Sequence, residues 1–92
     1  MTYRWIITAD HIDGNVKSEA LGFEGGSHKI DQPMPTNNET DFQLLDDDMV
    51  LYYSGKLYGD FDGFEPLDDF GMAYAGCTTV KLRNSAGKFE IL

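Results

Sequence analysis

The sequence predicts a mainly β protein with room for an α+β variant: a small twisted antiparallel sheet or open barrel of about five or six short strands, with at most one short helix. Three observations carry this expectation. Apolar and polar residues alternate over short runs such as "TTVKLR" and "KFEIL", the period of a half-buried strand. Turn-forming residues separate such runs, Asp13-Gly14 and Asn84 to Gly87 among them. Ninety-two residues, 41% of them hydrophobic, suffice for one core and leave no room for a second, so residues 1–92 form a single domain.

The first element is a hairpin over "YRWIITADHIDGNVKSEALGF". Glycine tolerates the positive φ of a type I′ turn, which makes Asp13-Gly14 the reversal. That centre sets Ile12 against Asn15 and Asp10 against Lys17, a favourable cross-strand charge pair. The second arm, "NVKSEALG", is polar and weakly β-prone. Residues 24–40, "EGGSHKIDQPMPTNNET", read as a long irregular loop, because glycines and the prolines around Met34 interrupt regular structure.

"DFQLLDDDMVLYYSGKLYG" is the clearest hairpin. A reversal centred on Asp47-Asp48 faces Phe42 with Tyr53, Leu44 with Leu51, and Gln43 with Tyr52. The four apolar residues then share one face. Asp-Asp is a poor type I′ pair, so a four-residue turn is expected. Pro66 suits the first position of a short helical turn over 66–73, stopped by Gly76. The final hairpin is "TTVKLRNSAGKFEIL", with Val80, Leu82, Phe89 and Ile91 alternating with Thr79, Lys81, Lys88 and Glu90.

Charge narrows the function. The net charge of −9 lies in one third of the chain: from Glu39 to Asp69 there are ten acids and one base, Lys56, while the other six acids and six bases cancel. Such a field repels nucleic acid and anionic membranes and draws in cationic partners. No window reaches the length of a membrane span, and "MTYRWIITAD" lacks the apolar stretch of a signal peptide. One cysteine makes no internal disulfide. A cytoplasmic protein, monomer or homodimer, is the expectation, with no membrane and no direct nucleic acid among its partners.

The acidic clusters "LDDDM", "GDFDGFE" and "LDDFG" supply oxygens of the kind a hard cation takes. The calcium-loop register fails, however: counted from Asp60, the fifth position is Phe64 and the twelfth is Gly71, where a bidentate glutamate belongs. Cys77, His11 and His28 have no catalytic signature around them, and "AGCTT" enters a strand, where a small buried thiol is ordinary. There is no glycine-rich phosphate loop and no nucleophile elbow. No catalytic residue, metal ligand or cofactor is therefore assigned. The aromatics Tyr52, Tyr53, Tyr58, Phe61, Phe64, Phe70 and Tyr74 crowd into one stretch, and segment 61–74 is expected to fold over the sheet as a lid.

The pattern "YRWIITADHI", "FQLLDDDMVLYYSGKLYGDF" and "FEPLDDFGMAYAGCTTVKLR" resembles a family of small acidic uncharacterised bacterial and mobile-element proteins. That family's acidic turn reads "DDDG", so Met49 stands here where the resemblance implies glycine. The resemblance covers most of the chain and implies a shared domain without an assigned activity. Small acidic phage proteins of similar size include inhibitors of host defence nucleases, an analogy of class.

The sequence thus points to a non-enzymatic protein that presents carboxylates and aromatics to a basic protein partner. In its sharpest form it is a nucleic-acid-mimicking inhibitor of phage or mobile-element origin, facing a nucleic-acid-binding protein. The expected contact residues are Asp46, Asp47, Asp48, Asp60, Asp62, Glu65, Asp68 and Asp69, with Phe64 and Tyr58. The alternatives are a small calcium- or magnesium-binding module using the same carboxylates, and a structural domain without a ligand.

Overall fold

The structure, a computed structural model, describes residues 2–11, 17–18, 24–26 and 35–92, without the side chains of 17, 18, 24 and 73–75. Its strands are β1 (Tyr3–Asp10), β2 (Lys17–Ser18), β3 (Glu24–Gly26), β4 (Thr40–Leu45), β5 (Leu51–Gly59), β6 (Thr79–Arg83) and β7 (Phe89–Ile91). They form one open antiparallel sheet in the order β2-β1-β5-β4-β6-β7, with β3 also paired to β1. The protein is mainly β, and the sheet stays open.

Alternation decides which face is covered. Trp5 and Ile7 of β1, Tyr53 and Leu57 of β5, Phe42 and Leu44 of β4, and Val80 of β6 are buried on one side. Leu67, Phe70 and Cys77 pack onto them, with Phe61 half-buried beside them. The lid expected over 61–74 thus lies on the sheet, and Cys77 just beyond it packs there too. Phe70 meets Trp5 in a tilted contact at 5.5 Å and Tyr53 edge-on at 5.0 Å between ring centres, geometries that aromatic pairs favour.

The first hairpin keeps its expected register, with Asp10 opposite Lys17 and Ala9 opposite Ser18. Its turn and the Ile12–Asn15 pair lie outside the described residues. Farther along, Trp5 pairs with Gly25, so the second arm carries three more residues than the turn register requires. Residues 24–26, expected within an irregular loop, are instead strand β3. The reason is steric: a Cβ on Gly25 would lie 2.5 Å from Trp5 Cζ2, and its absence lets the chain pass close to the indole.

The second hairpin departs from its expected register by two residues. Phe42 pairs with Gly55, Gln43 with Ser54 and Leu44 with Tyr53, and a bulge precedes the pairing of Leu45 with Leu51. The cause is a wider turn. Asp46 Oδ1 accepts the N–H groups of Asp48 and Val50, each at 2.9 Å, and Met49 adopts a left-handed φ of 63°. A two-residue shift preserves the face of each side chain, so Phe42, Leu44 and Tyr53 are still buried. Gly55 is required beneath Phe42: a Cβ there would stand 2.4 Å from Phe42 Cζ and 2.3 Å from the Ile6 carbonyl oxygen.

The helical turn expected over 66–73 runs from Leu67 to Ala75 as a π-helix, with Pro66 (φ −62°) at its N-cap and Gly76 (φ 70°) ending it. In the last hairpin, Asn84 Oδ1 accepts the N–H groups of Ala86 and Lys88 and so shapes the turn.

Candidate partner-binding surface

The acidic residues do not form one face. Strand β5 carries the chain through nine residues from Leu51 to Gly59, about 26 Å at 3.3 Å per residue. Asp46, Asp47 and Asp48 therefore sit at one end of the sheet, and Asp60 and Asp62 at the other. Asp60 is fixed there by its N–H bond to the Thr2 carbonyl at 2.8 Å. The contact residues expected from the sequence therefore divide between two separated ends, because an extended strand between the clusters holds them apart.

At the first end, Asp46 shapes the turn. Its carboxyl is held below the usual range, chiefly by the Val50 N–H, with the Tyr52 hydroxyl and the Asp48 N–H adding to it. The same bond to Asp46 raises the Tyr52 phenol. Asp47 and Asp48 are exposed, next to Met49 and Val50, which are 41% and 52% exposed.

At the second end, Asp60 and Asp62 are exposed, as is Phe64, and Asp62 Oδ1 accepts the Phe64 N–H at 2.9 Å. Glu65 departs from its expected role. It is buried, and its two oxygens accept the N–H groups of Gly63 at 2.8 Å and Asp62 at 3.0 Å. Burying a carboxylate requires such partners; Glu65 clamps the loop from within and is removed from the contact surface.

Asp68 and Asp69 are both exposed, and Asp69 is also engaged. Its Oδ2 accepts the Tyr3 hydroxyl at 2.7 Å and the Trp5 indole N–H at 3.0 Å. Burial first, then this bond, pushes the Tyr3 phenol up to about 12. Asp69 thus anchors the π-helical segment to β1. Tyr58 lies on the face opposite the core, with the Arg4 guanidinium 5.3 Å from its ring centre and its hydroxyl 3.4 Å from Glu39.

Sequence reasoning missed the polar network on that face. Lys56 Nζ lies 2.9 Å from Glu39 and 3.1 Å from Asp41, and Arg83 lies 2.9 Å from the other Asp41 oxygen. The row Lys56–Asp41–Arg83 crosses three adjacent strands and borders an open polar depression of about 350 Å³, with Glu39, Thr40 and Asn84 also lining it. Burial alone would raise the Asp41 carboxyl, but the Arg83 and Lys56 bonds hold it below the ordinary value. The bond to Glu39, then that to Asp41, raises Lys56. Alternation along β4 and β5 places Asp41 and Lys56 on the polar face, but only the true register brings them together. This network is internally neutralised and offers a ligand little unpaired charge.

The candidate chemistry elsewhere is quiet. Burial, and after it the charge of Asp46, pushes the Cys77 thiol up to about 11, so it stays protonated and unreactive at neutral pH. His11 Nε2 lies 2.9 Å from Ser54 Oγ; His28 and the Tyr74 side chain fall outside the described residues. Among the described residues, no three of His, Cys, Asp and Glu gather as a metal ion requires. Among these residues no helix is long and apolar enough to cross a membrane. No family model, curated protein or solved structure matches the chain.

Proposed function

We propose that this protein is a non-enzymatic interaction protein whose two acidic ends receive a basic protein partner. The observation that supports this reading is the mixed chemistry of each end. Asp47 and Asp48 stand beside exposed Met49 and Val50, and Asp60 and Asp62 beside Phe64, which is 42% exposed. Carboxylates steer and orient a cationic partner, while neighbouring apolar side chains supply desolvated contact area.

Two ends about 26 Å apart suit a partner with an extended basic groove, as in proteins that hold a nucleic-acid backbone. The sharpest form of the proposal is occupation of such a groove in place of nucleic acid, the behaviour of an anti-defence inhibitor from a phage or mobile element. The test is displacement of labelled duplex DNA from basic nucleic-acid-binding domains by the intact protein at low and moderate salt. Displacement weakens steeply with salt, and the Asp47→Asn/Asp48→Asn pair weakens it by about tenfold, or 1.4 kcal/mol. Displacement that ignores both salt and these substitutions overturns the reading.

A further inference from the structure

The depression beside the row Lys56–Asp41–Arg83 has hydrogen-bonding capacity that its own ion pairs leave partly unused. Its lining residues, Glu39, Thr40, Asp41, Lys56, Arg83 and Asn84, are all charged or polar. Each Asp41 oxygen takes one cation, Lys56 at 3.1 Å and Arg83 at 2.9 Å, although a carboxylate oxygen accepts more than one bond. Arg83 uses a single N–H on Asp41, and the rest of its guanidinium fork has no partner among the described residues. Glu39 meets both Lys56 and the Tyr58 hydroxyl through Oε1, which leaves Oε2 available. The Asn84 side-chain oxygen serves its turn, and its amide N–H groups remain for other acceptors. Donors of Lys56, Arg83 and Asn84 therefore alternate with acceptors of Glu39 and Asp41 around about 350 Å³ of space, the small end of the range for ligand sites.

We propose that this depression binds a neutral polyhydroxyl ligand, of the class of a single sugar ring, through hydroxyls that bridge its acids and bases. Charge selects this class. The carboxylates of Glu39 and Asp41 stand among the cations of Lys56 and Arg83, so an anion meets the acids and a cation meets the bases. A zwitterion competes with pairs already formed, because each of its charges needs a partner that the row has engaged. An apolar ligand finds no apolar side chain in the lining and removes polar groups from water with no compensating bond. A hydroxyl both donates and accepts, so neighbouring hydroxyls on one ring satisfy an acid and a base side by side. Hydrogen bonds to charged groups are the stronger ones. The ion pairs also hold these side chains in place before the ligand arrives, which lowers the ordering cost. None of the carboxylates at the two acidic ends takes part, so the site is independent of the partner reading above.

The experiment titrates the intact, amide-labelled protein with methyl glycosides of glucose, galactose and mannose, followed by nuclear magnetic resonance. At least one glycoside shifts the amides of Asp41, Lys56 and Arg83 with a millimolar dissociation constant, as an open site without apolar contacts gives. Added salt leaves this binding unchanged, because the ligand carries no charge. Arg83→Ala removes a side chain that is 51% exposed; it keeps the melting temperature and weakens binding by about tenfold, or 1.4 kcal/mol. The proposal falls if no glycoside shifts these amides at tens of millimolar, or if Arg83→Ala binds as well as the parent. It falls equally if inorganic phosphate or glycine shifts them and the glycosides do not, which would make the depression an anion or zwitterion site. Failure here leaves the acidic-end reading standing, and salt-insensitive displacement of DNA removes that reading without touching this one.

Discussion

Asp69 Oδ2 accepts the Trp5 indole N–H at 3.0 Å, joining residues 64 positions apart in the chain. The same oxygen takes the Tyr3 hydroxyl. One carboxylate, on a residue that is exposed as the sequence predicts, therefore also holds the lid to the first strand. Asp69→Ala leaves the N–H of a 5% exposed tryptophan unpaired, at a cost of about 1–3 kcal/mol. Asp68→Ala, at its exposed neighbour, changes stability by less than about 0.5 kcal/mol. Urea unfolding of the two variants, followed by tryptophan fluorescence, checks the contrast; equal losses would remove the anchoring role.

Tyr3 gives the fold an alkaline limit. Burial and the bond to Asp69 push its phenol up to about 12 in the folded protein, above the ordinary 10.0, so the folded state keeps this proton longer than the unfolded one. A raised value contributes stability that is complete below the unfolded pKa and is lost as pH rises through the folded one. The urea midpoint therefore falls between pH 10 and 12. Tyr3→Phe flattens that fall and removes a late-titrating tyrosine from the ultraviolet titration. An unchanged slope in the variant would contradict the assignment.

Met49 carries a left-handed φ of 63° in the Asp46–Val50 turn, a conformation in which a Cβ is costly and glycine is at ease. Met49→Gly stabilises the protein by about 0.5–1 kcal/mol, read as a higher urea midpoint at unchanged slope. A lower midpoint would show that the Met49 side chain contributes more than its backbone strain costs.

Gly55 works in the opposite sense. An added methyl would meet both the Phe42 ring and the Ile6 carbonyl, and the carbonyl belongs to a paired strand that has little freedom to move. Gly55→Ala destabilises by about 3 kcal/mol, the upper range of overpacking. Pairing it with Phe42→Leu, which shortens the opposing side chain, recovers part of the loss. No recovery would place the clash wholly on the backbone.

Much of the sheet was legible in local pattern. The hairpins over 41–59 and 79–91, and the Asp10–Lys17 register, follow from alternation and turn residues alone. The two-residue error between Phe42 and its partner arose because the Asp46 carboxylate builds a wider turn than a dipeptide centre allows. Strand β3 was missed because its residues, Glu24, Gly25 and Gly26, carry little β propensity and owe their place to Trp5 across the ladder.

The candidate site divides along the same line. Composition and spacing by themselves determined a small, mainly β, acidic chain whose charge is concentrated in its middle third, because these properties depend only on which residues are near in sequence. Tertiary structure decided what each carboxylate does. Glu65 turns inward to the Gly63 and Asp62 amides, Asp69 binds Tyr3 and Trp5, and Asp47 and Asp48 are parted from Asp60 and Asp62 by the length of β5. A carboxylate's role is set by the donors that packing brings within about 3 Å of it, and those donors come from distant parts of the chain.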